Sequence, residues 1–141
     1  MREILFKAKR KDNGEWVEGG YFSEPYTEKK FIICWNSFGL GFNEFIEVEP
    51  DTICQYTGLT DKNGKRIWEN DIVEITIECD DYFNLSETGI VEYSYGQYEL
   101  KVKTTDGKEA YSNLINKLSE APFEIEKLGN IFDNPDLLEV K

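Results

Sequence analysis

The chain has 141 residues, with 16 Lys and Arg against 28 Asp and Glu, a net charge of −12 and no histidine. That length supports one domain, or two small subdomains sharing a core, without help from disulfides or metal. The charge opposes direct binding to nucleic acid or anionic membranes, and the missing imidazole removes Ser-His and Cys-His catalysis and His metal ligands.

Residues 2–9, REILFKAK, alternate with Ile4, Phe6 and Ala8 on one face, the pattern of a half-buried strand. Asp12-Asn13-Gly14 supplies a turn and Trp16 to Tyr21 the return strand, so the chain opens with a β-hairpin. Lys7, Lys9, Arg10 and Lys11 are the densest basic cluster and read as a solvated strand end. Phe31 to Trp35 reads as a short strand buried on both faces, Ser37 to Asn43 as a loop, and Phe45 to Glu49 as a strand ended by Pro50. The whole chain, 1–141, is expected to form one domain, with a weak boundary near Glu49-Pro50-Asp51 separating possible subdomains 1–50 and 51–141.

Thr52 to Tyr56 continues as a strand that Thr57-Gly58 breaks, and Asp61-Lys62-Asn63-Gly64 is the strongest hairpin turn of the chain. Ile67-Trp68 leads to a second tight turn at Glu69-Asn70-Asp71. The β-branched run from Ile72 to Glu78 then suits a sheet. Residues 80–88 are polar and read as an exposed loop. Gly89 to Tyr95 and Gln97 to Lys103 are strands joined around Gly96, and Thr105-Asp106-Gly107 turns the chain towards Ala110-Tyr111. Ser112 to Glu120 places Leu114, Ile115 and Leu118 at helical spacing before Pro122. Phe123 to Leu128 alternates as a strand, and Asn134-Pro135-Asp136-Leu137-Leu138 ends in a helical turn with Asn134 as N-cap. About nine or ten strands with one or two short helices near the C-terminus predict a mainly β, antiparallel protein containing a small barrel.

Three segments carry a resemblance: MREILFKA at the start, QYTGLTDKNGKRIWENDIV from Gln55 to Val73, and LGNIFDNPDLLE near the end. Together they resemble the YopX family, small proteins encoded largely by phages and prophages. The central pattern carries over to Gln55, Tyr56, Thr57, Gly58, Leu59, Asp61, Asn63, Gly64, Asp71, Ile72 and Val73. The closing pattern carries over to Gly129, Asn130, Ile131, Asn134 and Leu137. The chain departs from the family at Trp68, where tyrosine is usual, at Asn70, where glycine is usual, and at Lys9, near a common tryptophan. Asn is the best substitute for glycine at a left-handed position, so the turn at Asn70 is expected to survive. The resemblance implies an SH3-like barrel in the central and later strands and a phage-derived protein of the bacterial cytoplasm. It implies no catalytic residue.

Gln55, Tyr56 and Asp61, with Lys65 and Arg66 projecting beyond the hairpin, form a candidate recognition surface. The same residue types also brace turns, because Asp side chains bond nearby amides. Tyr93, Tyr95 and Tyr98 on adjoining strands are candidates for a peptide groove, against the reading of ordinary cross-strand packing. Glu78-Cys79-Asp80-Asp81 lacks the glycine and terminal Glu spacing of a calcium loop and reads as a solvated acidic loop. Cys34, Cys54 and Cys79 are far apart with no CxxC spacing, and read as buried free thiols in a reducing cytosol. No signal peptide or membrane span is read, and no cofactor or metal is expected.

The functional expectation is a non-enzymatic module that binds a phage or host protein. One alternative is an acidic DNA mimic that occupies a host nucleic-acid-binding protein. A carboxylate- or metal-dependent hydrolase ranks last. Exposed strand edges also permit a homo-oligomer.

Overall fold

Ala8, Ile32, Ile46 and Val48 form a buried cluster of an antiparallel sheet, with Phe6, Val17, Cys34 and Ile53 packed against them. The computed structural model describes residues 4–35, 43–80, 83–94, 97–103, 109–113 and 123–138. These residues belong to two compact units, Met1–Gly58 and Leu59–Lys141.

The first unit contains β1 (Phe6–Lys9), β2 (Trp16–Ser23), β3 (Lys30–Trp35), β4 (Asn43–Glu47) and most of β5 (Cys54–Thr60). Their order across the sheet is β4-β3-β2-β1-β5. The alternation in sequence explains which residues are inside. The registers Ala8 with Val17 and Ile32 with Ile46 place these side chains on the core face. β3 differs from the expectation of burial on both faces: Ile32 is buried, while Phe31, Ile33 and Cys34 are half-buried. Past its end, β4 returns to the end of β1, where an isolated bridge pairs Arg10 with Val48. Lys11 N donates to Glu47 O at 3.0 Å and Glu49 N to Lys9 O at 2.9 Å on either side of it. A single 3-10 turn, Pro50–Thr52, follows, and its Thr52 Oγ1 accepts from Lys9 N at 2.9 Å.

The break read at Thr57-Gly58 does not occur. β5 runs through both residues, because Gly58 accommodates a φ of 86° within the strand. The second unit holds β6 (Arg66–Trp68), β7 (Asp71–Asp80), β8 (Phe83–Ser94), β9 (Gln97–Lys103), β10 (Glu109–Asn113) and β11 (Phe123–Asn130). Five of these form a sheet in the order β10-β9-β8-β7-β11. Ile67, Val73, Ile75, Val91, Tyr98, Leu100 and Ile125 make its core.

Among the described residues no pairing joins β10 to β11, so this sheet is not closed there and the expected SH3-like barrel is not confirmed. Closure depends on strand tilt and stagger across the whole sheet, which local sequence patterns do not encode. Residues 80–88 were expected to be a loop, yet β8 begins at Phe83 and pairs with β7 from Asp80 back to Ile72. Backbone pairing in a long hairpin continues whatever the polarity of its side chains. Of the helix expected at Ser112 to Glu120, Ser112 and Asn113 lie in β10, opposite Leu100 and Glu99. Residues 114–122 lie outside the described residues, as do 37–42 of the loop expected at Ser37 to Asn43, Gly96 of the expected tight join, and the turn expected at Thr105-Asp106-Gly107. The final helical turn is present as a 3-10 turn, Pro135–Leu138. Among the described residues, no helix is long and apolar enough to cross a membrane.

Two adjacent glycines in β2 make the close packing testable. A Cβ on Gly19 would collide with the Ile33 carbonyl oxygen, whereas one on Gly20 would meet only Ile33 Cβ at 4.0 Å. Gly19→Ala should therefore cost about 1–3 kcal/mol in urea unfolding. Gly20→Ala should be neutral or stabilise by up to ~1 kcal/mol. Equal midpoints for the two variants would contradict this packing.

Candidate functional site

The turn after β5 is organised by the Asp61 carboxylate, which is 6% exposed. Its Oδ1 accepts from the backbone N–H of Asn63 and of Lys65, each at 2.9 Å. Its Oδ2 accepts from Lys127 N of β11 at 3.0 Å. Lys62 N also donates to Ile125 O at 3.0 Å, and Gly64, at φ 80°, closes the turn by donating to Asp61 O. Burial pushes the Asp61 carboxyl up. The N–H donors of Lys127, Lys65 and Asn63, with the Lys65 charge, outweigh that and hold it below the usual carboxylate range.

The second turn is built the same way. Asn70 takes the left-handed conformation expected of it, at φ 68°. Its N–H donates to Val91 O at 2.7 Å, and its carbonyl accepts from Ile131 N at 3.0 Å. Asp71 is fully buried, and its Oδ2 accepts from Trp68 N at 2.8 Å. The same oxygen lies 3.3 Å from Lys127 Nζ. Lys127 thus meets both aspartates of the central motif, Asp61 through its backbone and Asp71 through its ammonium.

The closing segment locks onto this corner. A register shift between Lys127 and Gly129 marks a bulge in β11. Beyond it, the Asn134 side-chain oxygen occupies the space a Cβ on Gly129 would need, and accepts from Asn130 N at 3.3 Å. Asn130 Oδ1 in turn accepts from Phe132 N and Asp133 N, both at 2.9 Å. The conspicuous residues of the central and closing segments are therefore partners in one hydrogen-bonded corner.

Such a corner holds backbone in place. Both Asp61 oxygens are engaged, and the groups around them are amides, which offer no nucleophile. Tyr56 is buried and its N–H donates to Leu5 O at 2.8 Å, while Gln55 is half-buried in register with Phe6. Lys65 and Arg66 are exposed. Tyr98 is a core residue, and Tyr93 packs on it edge-on at 4.9 Å with its other side in solvent, as cross-strand neighbours do. Tyr95 lies outside the described residues.

The basic cluster is not a shared patch. Lys7 Nζ and Lys9 Nζ lie 4.5 and 5.4 Å from the centre of the Trp16 ring. Arg10 grips Asp12 through two nitrogens, both at 2.9 Å, and Lys11 pairs with Glu47 at 3.2 Å. Lys7 is buried, so the reading of a wholly solvated strand end fails there. Cys54 is a buried free thiol, while Cys34 is only half-buried, and burial with the nearby Glu44 charge pushes its thiol up. A raised thiol is a poor nucleophile near neutral pH. Among the described residues, no three Cys, Asp or Glu converge to hold a metal; the side chains of 78–81 are outside them.

Sequence reasoning missed a surface on the first unit. Phe22 is 41% exposed and Phe45 58% exposed, on the face of the sheet opposite Ile32 and Ile46. Phe22 packs on Phe31 at 6.3 Å and on Phe45 at 6.2 Å, edge-on in the second pair. The registers Phe22 with Phe31 and Ile33 with Phe45 keep the apolar side chains together. The signal was in the alternation itself: Phe31 and Ile33 flank Ile32, and Phe45 precedes Ile46, so one set must face away from the core.

The family model described as YopX protein matches residues 5–139, and the chain belongs to that family. Among solved structures, it is similar to the crystal structure of protein EF1440 from Enterococcus faecalis, at 24% identity and a TM-score of 0.54. That match covers 99% of this chain and 100% of the other, and it shows a shared fold. Among curated proteins, none matches.

Asp61→Asn should lower stability at neutral pH by about 2–4 kcal/mol, because an amide cannot accept at both positions that the carboxylate oxygens fill. The lowered carboxyl sets the pH dependence. The stabilisation is fully present above the unfolded value of about 3.9 and is lost as pH falls through the folded value below it. Urea midpoints of both proteins across pH 2–7 should converge in acid; a constant gap would contradict this role.

Proposed function

We propose that this YopX-family chain is a non-enzymatic module that binds another protein through the aromatic face of its first unit. The observation that carries the reading is the exposed pair Phe22 and Phe45, packed edge-on, with Phe31 tilted against Phe22. Aromatic surface left in water is unfavourable, and docking against a partner recovers that free energy. Aromatic residues are also enriched where protein interfaces form. The commitment of Asp61, Asp71 and Lys127 to holding the fold supports the same reading, since it removes the most distinctive polar residues from candidate chemistry. The setting that this reading assumes is the cytoplasm of a bacterium carrying a phage or prophage, and the free thiols Cys34 and Cys54 fit a reducing compartment.

Affinity capture of the tagged full chain from its host, followed by binding of the purified partner, tests the proposal. The wild type and Tyr93→Glu should bind one partner with similar affinity, and Phe22→Glu should bind it at least tenfold more weakly with unchanged circular dichroism. Full binding by Phe22→Glu, or no direct partner for the wild type, would refute the reading.

A further inference from the structure

β4 is the outer strand in the order β4-β3-β2-β1-β5, and its backbone shows which groups face outward. Val48 N turns towards β3, donating to Lys30 O at 3.0 Å, while Glu47 O turns away from β3 and accepts from Lys11 N. In an antiparallel strand these directions alternate, so the N–H and C=O of Phe45 turn away from β3 on the same side as Glu47 O. They face a cavity of about 330 Å³ between Arg10, Lys11 and Asp12 on one side and Glu44 to Glu47 on the other.

The lining argues against a small anion as occupant. Arg10 is already paired with Asp12, and Lys11 with Glu47. What the edge offers instead is a peptide backbone, with different side chains on its two faces. Phe45 stands on the aromatic face beside Phe22, and the exposed Glu44 stands on the opposite face. A strand added beside β4 therefore places alternate residues against aromatic rings and against a carboxylate. The net charge of −12 favours approach of a basic segment.

We propose that the edge of β4 at Phe45, next to the stretch already joined to β1 at Glu47 and Val48, receives an extended, basic peptide segment of a partner protein. The segment pairs with the backbone of Phe45 and alternates aromatic or β-branched residues, beside Phe45, with Lys or Arg, beside Glu44. Adding a strand to a sheet edge is a general mode of peptide recognition: main-chain bonds give affinity and alternate side chains give specificity. The inference rests on the interaction-module reading and names the chemistry of its partner.

Titration of the labelled full chain by NMR tests it with a synthetic heptapeptide, Lys-Val-Lys-Phe-Lys-Val-Lys. A peptide of the same composition in block order, Lys-Lys-Lys-Lys-Val-Phe-Val, controls for charge alone. A third version carries N-methyl groups on alternate backbone nitrogens along each edge in turn. The alternating peptide should shift amides of Lys11, Asp12 and Asn43 to Glu47, and bind at least tenfold more tightly than the block-order peptide. One of the N-methylated forms should lose that advantage. Phe45→Pro should also weaken binding at least tenfold, since proline is tolerated where an edge N–H faces outward. Glu44→Lys, which leaves the backbone intact, should weaken it as well.

Equal binding of the two peptide orders, shifts elsewhere, or indifference to both substitutions would overturn the proposal. A concentration-dependent dimer of the free chain, abolished by Phe45→Pro, would overturn it too, by assigning the edge to a second copy. Loss of peptide binding while Phe22→Glu still abolishes partner capture would remove the edge proposal and leave the module reading standing.

Discussion

One carboxylate holds together residues that lie far apart in the chain. Asp61 accepts two N–H groups within its own turn and a third from Lys127, 66 residues further on. A buried carboxylate is costly unless its oxygens are satisfied, and hydrogen bonds to a charged acceptor are stronger than neutral ones. The same group therefore shapes the hairpin and fixes where β11 meets it. Lys127 then extends the connection to Asp71, whose oxygen also receives Trp68 N. Turn, buried strand and returning strand become interdependent through two aspartates and a lysine.

This dependence separates what makes the chain distinctive from what it presents to other molecules. The residues shared by the central and closing segments are spent largely on backbone groups: Asn70 accepts Ile131, Asn134 packs onto Gly129, and Asn130 ties down the last turn. The exposed aromatic face lies in the first unit, on strands outside the central and closing segments. Its rings are held by cross-strand packing, and the outward backbone of β4 lies beside them. A rigid corner specified by polar contacts and an apolar face left in water are separate constraints on the sequence.

Local chemistry was readable wherever it acts over a few residues. Asp61 and Gly64 announce their turn because each type has a short-range reason to be there, whereas the left-handed position at Asn70 was implied by the glycine usual in the family. Alternation located most strands, including β11. It failed at residues 80–88, where Phe83 and Leu85 alternate but are too short an apolar pair among acidic and polar neighbours to stand out as a strand. It misjudged Phe31 to Trp35, because apolar residues on both faces look the same whether one face is covered or exposed. The bond between Asp61 and Lys127 was invisible for another reason: nothing near Asp61 says which distant amide will complete it. Barrel closure was inferred from strand count and resemblance, and the order from β10 to β11 depends on pairings that neither constrains.

The most direct measurement is hydrogen exchange of the Lys127 amide in the wild type and in Asp61→Asn. If the carboxylate secures β11 to the turn, this amide exchanges slowly in the wild type and at least tenfold faster in the variant, together with the amides of Asn63 and Lys65. The Tyr56 amide, bonded to Leu5 O in the first unit, should keep its rate and serve as the internal reference. An unchanged Lys127 rate in Asp61→Asn would contradict the central claim.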